Sequence, residues 1–159
     1  MNDTEVAAPA SGRTGRTHPF RRIGVTGLVA TLAAMVATAV AAAFARAAGI
    51  DFEVPEGGET IPVIGVAVVT GFFSLVGTVI AVALLRWSAR PAERFLWTAV
   101  SLTAVSLVPP FLSGANEATT AALVGLHLVA ATVMIPTLTR SLRVIAQRSE
   151  HLTGSIDAD

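Results

Sequence analysis

The uncharged, proline-free stretch from Ile23 to Ala45 constrains this chain more than any other feature. As a helix rising 1.5 Å per residue it is about 34 Å long, enough to cross a hydrocarbon core of about 30 Å. A water-soluble helix needs a polar face. Here the only polar side chains are Thr26, Thr31 and Thr38, and Arg21 and Arg22 stand directly in front. The stretch reads as a membrane span entered from a basic flank, and the remaining apolar runs alternate from it.

The twin arginines and an Ala43-Phe44-Ala45 tripeptide resemble an export signal with a cleavage site. The apolar part of such a signal is about 7–15 residues, well short of this run, so an uncleaved first span is expected. Met1 to Pro19, rich in Ala, Gly, Ser, Thr and Pro, has no apolar period and is read as a disordered cytoplasmic tail. The 159 residues are 53% hydrophobic with net charge zero, which gives no case for nucleic acid. All 11 basic residues are arginines, a hint of GC-rich coding. With no cysteine, disulfides, thiolate metal sites and thiol catalysis are excluded.

The pattern predicts an all-α membrane protein: a four-transmembrane-helix bundle over 20–148, with helices at about 23–46, 62–86, 91–109 and 116–139. Gly49 suits the left-handed position after the first helix. Ile50, Phe52 and Val54 then alternate with Asp51 and Glu53 until Pro55 and Gly57-Gly58, predicting a short extended acidic loop on the outer face. Pro62 and Pro91 suit helix starts. Trp87, beside Arg86, suits the headgroup layer, and Trp97 lies in the first turns of the third helix. Pro109-Pro110 should stop or kink the third helix. Asn116 can cap the fourth, which contains Pro136. Beyond it, Leu138, Leu142 and Ile145 share one face and Arg140, Arg143 and Gln147 another, an extension over 140–148 expected to lie along the membrane surface. A second disordered tail is expected at 149–159.

Orientation follows from the arginines. With a cytoplasmic N-terminus, Arg13, Arg16, Arg21, Arg22, Arg86, Arg90, Arg94, Arg140, Arg143 and Arg148 lie inside and only Arg46 outside. By the positive-inside rule both termini are cytoplasmic. Arg21, Arg22, Arg86, Arg90, Arg94, Arg140 and Arg143 are the topology anchors, and anionic lipids at the cytoplasmic face are the expected partners.

An ionisable group at bilayer depth is a functional candidate by default, and only His127 stands near a helix middle. On one reading it faces an outward polar site with Asn116, Glu117 and Thr120. On the favoured reading it is a neutral imidazole bonded to a hydroxyl of a neighbouring helix, at Ser74, Thr78, Ser101 or Thr103. Asp51, Glu53, Glu56 and Glu59 lack the spacing of a calcium loop. No nucleophile elbow, phosphate loop, zinc-protease motif or dinucleotide fingerprint is present, so no catalytic residue, metal or cofactor is expected. Small residues recur at helical spacing: Gly27, Thr31, Ala34, Thr38, Ala41 and Ala45 on the first helix, Ala67, Gly71, Ser74, Thr78 and Ala81 on the second. Such stripes let helix backbones approach closely in lipid and are expected to pack the bundle.

Ala45-Arg46-Ala47-Ala48-Gly49-Ile50-Asp51, the Gly57-Gly58 loop, Pro109-Pro110 and Leu126-His127-Leu128 together resemble a family of uncharacterised four-span actinobacterial membrane proteins, over about 23–143. The resemblance implies four helices and a plasma-membrane address, supplies no activity, and suggests an Arg46–Asp51 pair clamping the outer helix end. The expected function is a non-enzymatic structural or accessory subunit, self-associating or bound to another membrane protein. The alternative is a small oligomeric transporter or channel around His127, although a proton-coupled exporter would need a carboxylate at depth.

Overall fold

In the computed structural model, which describes residues 17–53 and 60–156, five helices follow one another: α1 (Thr17–Ala47), α2 (Val63–Trp87), α3 (Pro91–Ser106), α4 (Val108–Leu112) and α5 (Glu117–Ile156). Taken with α4, α3 forms one apolar run, Pro91–Leu112, so four segments are long and apolar enough to cross a bilayer. The fold is an all-α, four-span membrane bundle. Gly57-Gly58, Glu56, Glu59 and most of the N-terminal tail lie outside the described residues.

Helix ends follow local chemistry. Gly49, at φ +86°, closes α1: its N–H donates to the Arg46 carbonyl and the Ile50 N–H to the Ala45 carbonyl. This is the two-bond left-handed cap that glycine permits without a Cβ penalty. Pro62 stands as N-cap of α2, and Pro91 opens α3 as expected. At the diproline the helix breaks at Leu107 rather than stopping. Pro109 and Pro110 then fall in the first turn of α4, where a missing N–H costs no helical bond. At Pro136 α5 continues unbroken, and the Thr137 hydroxyl donates to the Val133 carbonyl at 2.6 Å beside it.

Packing centres on α1, which lies against both α2 and α5, while α3 packs on α5 and α2. The buried face of α2 is Ala67, Gly71, Ser74, Thr78 and Ala81, the small-residue stripe read from the sequence. It meets the stripe of α1. A Cβ added at Gly27 would fall on Thr78, and one added at Gly71 would lie 2.7 Å from Met35 Sδ. Residues 27 and 35 thus face 78 and 71, the register of an antiparallel pair.

Two apolar clusters lie at opposite ends of the bundle. One, at the arginine-rich end, joins Ile23, Ala30, Ala34, Ala81 and Phe95 to Met134, Leu138, Leu142 and Ile145. The other joins Ala42, Phe52 and Leu126. Phe52 is 1% exposed, with φ +51°. Left-handed backbone costs a non-glycine residue about 1–2 kcal/mol, and burying a phenylalanine returns about 1.5–3 kcal/mol, so burial sets the geometry. Among the described residues, Glu53 and Thr60 form an antiparallel bridge.

Three expectations are corrected. The apolar face of 140–148 is not left free for a membrane surface at Leu142 and Ile145, whose side chains are buried in the cluster that holds Ile23 and Phe95. The C-terminal helix does not end before Ser149. It runs to Ile156, because extending a formed helix adds one bond per residue without a new nucleus, and the Ser149 hydroxyl donates back to the Ile145 carbonyl. Arg46 does not pair with Asp51. Its Nη2 donates to the Ile61 carbonyl at 2.7 Å, while Ile61 N–H donates to the Phe52 carbonyl at 3.2 Å, tying the two ends of the loop together.

The close α1–α2 approach predicts that Gly27→Ala lowers stability in mild detergent by about 1–3 kcal/mol. Thermal unfolding followed by size-exclusion chromatography measures this. Gly77→Ala, where an added Cβ meets nothing within 4 Å, should be neutral or slightly stabilising. Thr78→Ala should restore part of the loss in the Gly27→Ala background.

Candidate functional site

The sequence singles out Asn116, Glu117, Thr120 and His127, and all four lie on or directly before α5. Asn116 is the N-cap: its Oδ1 accepts from the Thr119 N–H at 2.8 Å, and its carbonyl accepts from the Thr120 N–H at 2.9 Å. Glu117 is exposed in the first turn, where a carboxylate complements the positive end of the helix dipole. The Thr120 hydroxyl reaches the carbonyls of Pro110 and Ala115, each at a long 3.5 Å.

His127 stands seven residues further along, about 10 Å down the helix axis from Thr120. It is half-buried, and its Nδ1 lies 2.8 Å from the Leu123 carbonyl, one turn back on the same helix. A carbonyl only accepts, so Nδ1 is the protonated nitrogen in that bond. The neighbouring-helix hydroxyls named from the sequence are not its partners. The Thr78 hydroxyl donates to the Ser74 carbonyl and the Thr103 hydroxyl to the Ala99 carbonyl. Among the described residues no hydrogen bond links His127 to Asn116, Glu117 or Thr120. What the structure does bring together is the α4–α5 corner, Pro110 to Thr120, and His127 stands apart from it.

The topology anchors divide into groups. Arg21 and Arg22 are exposed on the first turns of α1, and Arg140 and Arg143 are exposed on α5. Arg90 and Arg94 line a groove of about 550 Å³ at the α2–α3 turn, together with Glu93, Trp97 and Thr98. Leu84 and Ala89 complete the lining. Sequence reasoning assigned these arginines to topology alone. The spacing Arg90-x-x-Glu93-Arg94-x-x-Trp97, which sets Arg90 at the N-cap of α3 and the other three in its first turns, carries the signal that would have grouped them.

Four long apolar segments, exposed large hydrophobic side chains along every one of them, and arginines and tryptophans at the ends define a multi-pass membrane protein. The chain belongs to the family of unknown function DUF6069, whose model matches residues 18–144. No curated protein and no solved structure matches it significantly.

The cap at Asn116 predicts that Asn116→Ala costs about 0.5–2 kcal/mol while Asn116→Asp or Asn116→Ser stays near wild type. Thermal unfolding in detergent reads the difference, and equal losses in all three variants would remove the cap from the account of this corner.

Proposed function

We propose that the chain is a non-enzymatic structural or accessory subunit of the cytoplasmic membrane, with both termini in the cytoplasm. One observation carries the reading. Within the spans, the hydroxyl or imidazole groups of Thr38, Thr78, Thr103, His127 and Thr137 bond back to Ala34, Ser74, Ala99, Leu123 and Val133 of their own helices. The Thr120 hydroxyl instead makes a long contact to Pro110 at the α4–α5 corner, and the buried Thr31 and Thr119 hydroxyls have no hydrogen-bond partner. Polar side chains turned inward on their own helices leave broad apolar faces for lipid or for another membrane helix. A solute path would instead gather polar groups from several helices around one cavity. The alternative, an oligomeric transporter or channel using His127, gains no support from these bonds. The arginine-only, alanine-rich composition fits an actinobacterial source.

Co-purification in mild detergent with mass spectrometry tests the role. A stoichiometric second copy or membrane-protein partner is expected, with His127→Leu leaving the complex intact. A single chain carrying a bound solute, with a flux abolished by His127→Leu, overturns the proposal.

Orientation is tested separately. Because the chain has no cysteine, single variants report cleanly. An impermeant maleimide applied to intact cells should label Ala48→Cys, near the α1–α2 loop, and spare Ala89→Cys, at the α2–α3 turn. The reverse pattern would place the termini outside.

A further inference from the structure

The arginine-rich end of the bundle contains one feature that a uniform basic girdle does not explain, the groove at the α2–α3 turn. α2 ends at Trp87 and α3 begins at Pro91, so only a short turn separates the two helices. Arg90 is the N-cap of α3, in a non-helical backbone conformation, and Arg94 stands four residues on in the first turn; both line the groove. Glu93 is the carboxylate of the rim. It lies 3.6 Å from Arg90, with both side chains mostly exposed. Among the described residues Arg94 makes no ion pair and no side-chain hydrogen bond. The rim therefore carries two guanidinium groups against one carboxylate. Thr98 adds a hydroxyl and Trp97 an indole N–H, while Leu84 and the indole ring supply apolar walls. Trp97 is 66% exposed, an amphipathic ring at the level where headgroups meet acyl chains.

We propose that this groove binds the headgroup of one anionic glycerophospholipid, with its phosphate held by Arg90 and Arg94 and its glycerol backbone against Leu84 and Trp97. Guanidinium groups match phosphate oxygens in a fork that ammonium groups do not. A soluble phosphate would use the arginines and leave the apolar walls bare. A zwitterionic headgroup would bring a second cation to a rim that already holds an excess of positive charge. The inference rests on the four-span reading but not on its orientation, since both faces of a nanodisc meet the same lipids.

The test uses the full chain in nanodiscs and in detergent, with native mass spectrometry and titration of phosphatidylglycerol and phosphatidylcholine. Wild type should retain one phosphatidylglycerol per chain in preference to phosphatidylcholine. The double variant Arg90→Gln, Arg94→Gln should weaken retention about thirty-fold, roughly fivefold for each charge removed near a membrane surface. Arg140→Gln, Arg143→Gln removes the same charge from α5 and should leave retention near wild type. As a second measurement, Trp87→Phe leaves Trp97 the only tryptophan, since the chain has two. Its fluorescence should be quenched by acyl-brominated phosphatidylglycerol more than by the brominated phosphatidylcholine. Equal weakening in both double variants, no weakening in the first, or displacement of the lipid by equimolar glycerol phosphate would overturn the site. A reversed labelling pattern with lipid selectivity intact would sink the orientation alone.

Discussion

Everything in this bundle depends on the approach of α1 to α2. In water, helices associate because apolar faces leave solvent. In a bilayer that drive is absent, since lipid tails are as apolar as leucine, and contact must come from close packing. Close packing needs small residues at matched positions. Gly27 opposite Thr78 and Gly71 opposite Met35 supply them, each leaving no room for a further carbon. The fit outranks polar satisfaction. The Thr31 hydroxyl on the α1 stripe is buried with no hydrogen-bond partner, so the position is filled for size. With α1 fixed on α2, α5 is placed by its own packing on α1, and the third span, α3 with α4, is the span least held by the rest.

That ordering explains the uneven burial of the third span. The buried residues of α3 are Pro91 and Phe95, both at the arginine-rich end, and from Val100 onward its large apolar side chains are exposed. Phe95 joins the cluster built on Ile23, Leu138 and Leu142, which anchors α3 by one end. The α2–α3 turn thereby carries both the anchoring contact of the third span and the groove formed by Arg90, Arg94 and Trp97. A lipid headgroup seated there would bridge the span least held by protein contacts to the end of α2.

Much of the fold was legible because the relevant rules are local. Gly49 at the end of α1, Pro91 at the start of α3 and Asn116 before α5 act through their own backbone chemistry, and each stands where the sequence put it. The small-residue stripes were legible for the same reason, since helical spacing alone sets which residues share a face. The partners of Arg46 and His127 were not legible. Arg46 reaches a carbonyl fifteen residues away across a loop, and no spacing rule names that carbonyl. His127 offered a choice between a hydroxyl on another helix and a carbonyl of its own. The nearer acceptor won, because a carbonyl one turn back on the same helix lies within reach without any helix having to move. The groove was missed because arginines beside a span already had an explanation, and that explanation is blind to which of them share a surface.

The two ends of the bundle are built on opposite principles, and the difference bears on what each can do. At the loop end, the Arg46 guanidinium donates to the Ile61 carbonyl and the Ile61 N–H to the Phe52 carbonyl over a small apolar cluster, so the guanidinium there is consumed in holding the loop. At the other end the larger apolar cluster supplies the cohesion, and α1 and α5 extend it past the last apolar turns through Ile23, Leu142 and Ile145. The arginines at that end are released from structural duty by this packing. They stand exposed around a core that does not need them, which is the condition under which charge at a membrane surface can be spent on recognition.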